Sequence, residues 1–203
     1  GVPTADWVMA RREGTVDEQL GRLGAIMPVV VKPSKQGSTV GLSVVKRRED
    51  LDAAVAEARK YDDEVMLEKF VPGRELTVGI LAERSLAVGE IIPRGEIFDY
   101  ESKYQSGGAQ EIFPADMPDE LTERVQELGL RAHQALKLRD YSRIDFRLDP
   151  DGGLWCLEAN TLPGMTSASL LPQSARASGI GFEDLCEQIC QLALARRAHE
   201  QPA

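Results

Sequence analysis

Residues 143 to 160 read RIDFRLDPDGGLWCLEAN. Two runs that alternate apolar and polar residues flank Pro150-Asp151-Gly152-Gly153, a turn composition, so the passage reads as a β-hairpin. With Asp149 set opposite Leu154, the register places Asp145 opposite Glu158 and Arg143 opposite Asn160. Side chains two apart along a strand share a face, so these four polar groups project together while Ile144, Phe146, Leu157 and Ala159 project from the other face. Two carboxylates and an amide oxygen form a hard oxygen-donor set of the kind Mg²⁺ takes when it also meets phosphate. Arg143 beside them suits a developing oxyanion or a phosphoryl group. The pattern fits equally a solvent-facing sheet surface carrying an Arg–carboxylate pair.

Outward from the hairpin, strands and helices fall into two groups. Thr15 with Glu18 has the spacing of a capping box and predicts a short helix ending near Gly24. MPVVVK (27–32) and LSVVK (42–46) read as antiparallel strands, the span 49–61 as a helix with Leu51, Val55 and Ala58 on one face, and EVMLEKF (64–70) as a buried strand. Pro72-Gly73 breaks the chain, so a lobe boundary is expected there, giving lobes 1–70 and 71–203. Strands at about 75–82 and 86–92 follow, then a long irregular connection over 95–117, a helix over 119–137 that contains His133, and a last helix over 182–199. The mixture predicts an α+β fold. A packed or surface role is the default for His133. Cys186 and Cys190 stand four apart without a supporting His or further Cys, so core packing is their default role.

KPSKQGSTVG (32–41) sets a Lys at a strand end before a Gly/Ser/Thr loop. Its backbone amides at Gly37 and Gly41 and its hydroxyls at Ser38 and Thr39 can approach phosphate oxygens. A strand rather than a helix follows, so this is no P-loop, and a plain hairpin turn remains the alternative. Glu68-Lys69-Phe70-Val71 can offer a backbone edge to a planar base, with Glu75 free for a sugar hydroxyl; a buried strand end is the default. Lys103 and Tyr104 lie in the long connection, where a cation can close over phosphates or simply stay solvated. After the hairpin, LPGMTS (162–167) is a turn whose Gly164 amide can approach a reacting centre. Ser169 and Leu170 at the next helix start can hold a carboxylate.

The chain has 203 residues, 42% hydrophobic and 28% charged, with 24 Lys plus Arg against 33 Asp plus Glu and a formal charge of −9. That balance argues against nucleic acid as a partner. No apolar run reaches the roughly 18 residues of a membrane span, so no membrane association is expected. Three cysteines clustered toward one end give no disulfide framework, and a cytoplasmic setting is expected. The start at Gly1 without a Met reads as a piece of a longer frame.

The ordered segments GVPTA, VVVKPSKQGSTVG, EVMLEKFVPGRELTVGIL, FDYESKYQSGGAQ, YSRIDFRLD and LEANTLPGMTSASLLPQSA closely resemble the ATP-grasp ligases, specifically the D-alanine–D-alanine ligases, over nearly the whole chain. The resemblance implies an ATP-grasp fold, two α+β lobes with ATP held between antiparallel sheets. It also implies ligation for peptidoglycan: ATP phosphorylates the carboxylate of one D-alanine, and the amine of a second attacks the acyl phosphate. By motif match, Lys32 would contact the ATP phosphates and the loop Ser34, Gly37, Ser38, Thr39 would cover them. Glu68, Lys69, Phe70 and Val71 would hold adenine, Glu75 ribose, and Asp145, Glu158 and Asn160 two Mg²⁺ (or Mn²⁺) ions.

The resemblance further assigns Lys103 to the transferring phosphoryl group, Arg143 and the Gly164 amide to the oxyanion, and Ser169 and Leu170 to the second substrate's carboxylate. Ser38 and Tyr104 match a loop-closing pair, and Tyr104 favours a dipeptide over a D-alanyl-D-lactate product. Family members carry a further domain before the GVPTA-like segment. It supplies an acidic residue at the first D-alanine site and another ATP-contacting Lys, so the chain alone is not expected to show full activity. A homodimer is implied for the full-length parent. A nucleotide-binding fragment without turnover, or another carboxylate–amine ligase, are the competing expectations.

Overall fold

The computed structural model describes residues 1–11, 13–24, 26–37, 39–93 and 109–200, with the side chains of 197–200 excepted. The described residues fall into two compact units, one of 5–71 with Pro93, Ala109 and Gln110, the other of 1–4, 72–92 and 111–200. The chain therefore changes unit at Val71/Pro72, where Gly73 takes a φ of +114°. The first four residues do not go with the segment that follows them, as a 1–70 lobe requires. The Cys156 N–H donates to the Pro3 carbonyl at 2.8 Å, and the Thr4 hydroxyl donates to the Cys156 carbonyl at 3.0 Å.

In the first unit, β1 (Trp7–Met9), β2 (Val29–Pro33), β3 (Ser43–Val45) and β4 (Val65–Lys69) form an antiparallel sheet in the order β1-β4-β2-β3. Val29, Val31, Val65 and Leu67 alternate onto one face and are fully buried, together with Leu51, Val55 and Ala58 of α2 (Leu51–Ala58). Each of these Val and Leu side chains contributes about 1.5–3 kcal/mol on leaving water. α1 (Val16–Arg22) starts with the expected box: the Glu18 amide donates to Thr15 Oγ1 at 3.2 Å, and the Thr15 amide to Glu18 Oε2 at 3.0 Å. β1 is an addition to the sequence reading, since three residues are too few for a period to show.

A second sheet, in the order β7-β6-β5-β8-β9, is formed by β5 (Arg74–Leu81), β6 (Arg84–Pro93), β7 (Ala109–Ile112), β8 (Tyr141–Leu148) and β9 (Leu154–Asn160). α3 (Asp119–Ala135) covers the face made by Leu76, Val78, Ile80, Ile144 and Phe146. Gly129 permits the close approach, because a Cβ there would lie 2.6 Å from Val78 Cγ1. α3 stops two residues before its expected end, where Lys137 turns left-handed. The opposite face is divided. α4 (Leu170–Ala177) and α5 (Phe182–Glu200) pack near Leu81 and Leu86, and the stretch carrying Glu75 and Thr77 is left polar. Among the described residues no helix is long and apolar enough to cross a membrane.

The hairpin register needs one correction. Arg143 faces Asn160 and Asp145 faces Glu158 as expected, but Leu148 rather than Asp149 faces Leu154. The two registers are reconciled by a bulge between Asp145 and Phe146, with Leu157 as the extra residue of β9. Phe146 consequently pairs with Cys156, and Cys156 takes the place in the core margin that alternation assigns to Leu157. Asp149 instead closes the turn, accepting from the Asp151 and Gly153 amides at 3.0 and 2.7 Å and from Trp155 Nε1 at 2.7 Å.

Candidate functional site

Asp145 is 6% exposed, yet it carries a full set of donors. Arg143 reaches both of its oxygens, with Nε 2.9 Å from Oδ1 and Nη2 2.8 Å from Oδ2. Asn160 Nδ2 lies 3.1 Å from Asp145 Oδ2 and 3.0 Å from Glu158 Oε1, so the three expected metal ligands meet at one point beside Arg143. Burial and then the neighbouring Asp145 charge push the Glu158 carboxyl above the usual range, the Asn160 and Arg143 contacts opposing them. Glu158 keeps 44% of its side-chain surface, so the cluster remains reachable from solvent.

The donor chemistry fits a hard divalent cation: two carboxylates converge, and the Asn160 amide turned by 180° presents oxygen where nitrogen now stands. Among the described residues no group of three His, Cys, Asp or Glu side chains is poised to hold a metal; the cluster here has two carboxylates and the Asn160 amide. Cys186 and Cys190 are free, half-buried and exposed respectively.

The same sheet face holds two residues that the sequence reading passed over. Thr77 sits opposite Asp145 and donates its hydroxyl to Asp145 Oδ1 at 2.7 Å. Arg147 sits opposite Glu75, with Nη1 3.6 Å from Glu75 Oε2 and Nη2 donating to the Gly73 carbonyl at 2.9 Å. Burial lowers the Arg147 pKa against the pull of Glu75. Neither was legible in the sequence: Glu75 and Thr77 share a strand face in ELTVGIL, but nothing local says that β8, with Asp145 and Arg147, lies opposite. On the opposite face of the sheet Arg74 forms a two-pronged pair with Glu90 at 2.7 and 2.6 Å.

In the unit of Ala5–Val71, Lys32 and Glu68 come together. Lys32 Nζ is 2.9 Å from both Glu68 oxygens, because Lys32 faces Met66 and Glu68 faces Val30, a diagonal pair across β2 and β4. Glu68 is thus engaged through its side chain. The Lys69 amide donates to the Asp6 carbonyl at 2.9 Å, and Phe70 and Val71 are both half-buried. In the loop after Lys32, the Ser34 amide bonds the Glu64 carbonyl at 2.8 Å and Thr39 is left-handed at φ 59°. A Cβ added at Gly37 would meet nothing within 4 Å. Ser38 lies outside the described residues, as do Lys103 and Tyr104.

At the start of α4, Gly164 and Ser169 are neighbours: a Cβ at Gly164 would be 2.9 Å from Ser169 Oγ. Ser169 Oγ accepts from the Thr166 amide at 3.1 Å and lies 2.9 Å from Thr166 Oγ1, so this hydroxyl fastens the loop rather than capping its own helix. Leu170 is half-buried. Arg176 Nη2 and Gln173 Nε2 donate to the Ser167 and Ala168 carbonyls at 2.9 and 2.8 Å and tie the loop down.

A family model described as D-ala D-ala ligase C-terminus matches residues 1–191. Over 170 residues the chain is 49% identical to a D-alanine--D-alanine ligase of Geotalea uraniireducens, covering 84% of this chain and 55% of that protein. A crystal structure of a D-alanine--D-alanine ligase from Bacillus anthracis superposes with a TM-score of 0.86 at 37% identity, covering 99% of this chain and 65% of that one. A structure of the ligase from the same organism complexed with ATP gives 0.81 at 32% identity, covering 100% and 63%. The chain therefore spans little more than half the length of that curated relative. With these matches, the chain belongs to the D-ala D-ala ligase C-terminus family.

Proposed function

We propose that the chain supplies the nucleotide, metal and second-substrate portion of an ATP-dependent ligase that joins two molecules of D-alanine. The observation that carries this reading is the convergence of Asp145, Glu158 and Asn160 with Arg143 on one sheet face. Asp145, Glu158 and Asn160 would hold Mg²⁺, which when bound neutralises phosphate oxygens and draws charge from the phosphorus. Lys32 supplies a cation for phosphate near the end of β2, and at Gly37, where an added Cβ would meet nothing within 4 Å, the main chain can be approached. Phe70 and Val71 bracket the base, and Glu75, steadied by Arg147, accepts from the ribose hydroxyls. Arg143 and the Gly164 amide face the oxygen that gains charge when the second amine attacks, and Ser169 with Leu170 holds that substrate's carboxylate.

The competing reading is nucleotide binding without turnover. One incubation separates the two. The chain is mixed with ATP, Mg²⁺ and D-alanine, and products are separated by mass. D-alanyl-D-alanine with an equal amount of ADP assigns the complete reaction to this chain. Mg²⁺-dependent ATP binding without dipeptide assigns it the nucleotide portion. A folded chain with neither property overturns both.

A further inference from the structure

We propose that Thr77 is a positioning residue for the cation site, orienting Asp145 through its hydroxyl; the inference rests on the metal reading of Asp145, Glu158 and Asn160 given above. Thr77 is 1% exposed in the middle of β5. A hydroxyl in such a place lowers stability unless it finds a partner, and a Val fills the same volume with a good strand propensity. The partner is Asp145 Oδ1, at 2.7 Å from Oγ1 and directly opposite in the sheet. On the β6 side Thr77 faces Gly89, where the ring of Phe113 occupies the space of the absent side chain, a Cβ there lying 2.2 Å from it. The flank toward β6 is therefore apolar and the flank toward β8 carries the carboxylate.

The consequence concerns which carboxylate oxygen faces the cluster. Arg143 grips both oxygens of Asp145 almost symmetrically, Nε to Oδ1 at 2.9 Å and Nη2 to Oδ2 at 2.8 Å, so it fixes the plane of the group less than it fixes its place. Thr77 breaks that symmetry. It holds Oδ1 toward β5 and leaves Oδ2 toward Asn160, whose Nδ2 is 3.1 Å away, and so toward Glu158 beyond it. Partners behind a metal ligand set its orientation and hence the affinity of the site.

The test titrates Mn²⁺ alone into the chain and counts free ion by its electron paramagnetic resonance signal, with circular dichroism on each sample. Thr77→Val should weaken Mn²⁺ binding about 10-fold, and Thr77→Ser, which keeps the hydroxyl, should restore the parent affinity. Thr77→Ala takes the place of the Val variant if that one does not fold. A general loss of stability lowers the melting temperature of the Val and Ser variants without separating their affinities. Asp145→Asn is the control. If it weakens binding while Thr77→Val leaves affinity at the parent value, the proposal is overturned and the metal site stands. If Asp145→Asn leaves affinity unchanged, or the parent binds no Mn²⁺, the metal site itself is wrong and the role of Thr77 goes with it.

Discussion

Asp145 takes hydrogen bonds from Thr77, Arg143 and Asn160, while Glu158 next to it takes one from the Asn160 amide and has a longer approach of Arg143 at 3.8 Å. That asymmetry fits the upward push on the Glu158 carboxyl and marks Glu158 as the group with most to gain from a cation. Glu158→Gln keeps shape and removes the charge, so ATP affinity measured with Mg²⁺ should fall by about 10-fold or more, and affinity without Mg²⁺ should hardly change; equal losses in both would refute the ligand role. Lys32 makes a second residue-scale case. It neutralises Glu68, whose side chain is 6% exposed, so Lys32→Met should lower unfolding free energy by about 1–3 kcal/mol as well as weaken ATP binding. Adding Glu68→Gln should recover the stability but not the binding, in urea titrations run beside calorimetry. Asp145, Glu158 and Asn160 were readable because alternation within one hairpin sets their common face. Thr77 was not, since its partner stands 68 residues away on a strand whose register no local pattern discloses.

At the scale of elements, two bulges shape the site. In β9 the extra residue Leu157 cancels a one-residue slip at the turn, so the pairing of Asp145 with Glu158 came out right from a wrong starting pair. Nothing in LWCLEAN announces a bulge, because Cys156 and Leu157 are both apolar and either can serve the core. Between β5 and β6 the register shifts after Val78, and the single Gly79 stands against Leu86 and Ala87. α4 and its C-cap residue fill this defect with two serines. Ser174 Oγ accepts from the Gly79 amide at 3.3 Å and donates to the Ala87 carbonyl at 2.6 Å, and Ser178 Oγ accepts from the Ala87 amide at 2.7 Å. Ser174→Ala should leave those sheet groups without partners, lowering stability by about 1–3 kcal/mol and speeding hydrogen exchange at Gly79. Unchanged exchange would mean that the helix is held by Leu171 and Ala175 alone. Gly129→Ala tests the other face, where the new methyl would come 2.6 Å from Val78 and should destabilise by about 1–3 kcal/mol in the same titration. The capping box of α1 and the buried faces of α2 and α3 were plain in the sequence, whereas β1, fixed only by pairing with β4, was not.

At the scale of the whole molecule, each unit carries its own apolar cluster, around Val29, Leu51 and Leu67 in one and Leu76, Ile144 and Phe146 in the other. His133 gives global stability a pH dependence with a definite sign. It is 4% exposed with Nδ1 2.7 Å from Ser142 Oγ, and burial lowers its pKa while Glu83 pulls the other way. The folded state therefore binds a proton less readily than the unfolded chain, whose histidine titrates near 6.5. The contribution is complete above that value and is lost as pH falls below it. Between pH 7.5 and 5.5 the parent should lose more unfolding free energy than His133→Gln, and equal losses would contradict the assignment. The family match covers residues 1–191 and the chain spans 55% of a curated relative, so the central claim concerns what this portion does by itself. The most direct measurement is calorimetry of ATP into the 203-residue chain with and without Mg²⁺, folding being verified by circular dichroism on the same sample. The account predicts ATP binding that Mg²⁺ tightens and that Glu158→Gln weakens by about 10-fold or more in the presence of the metal. A folded chain that binds no ATP, or binds it equally without the metal, would contradict it.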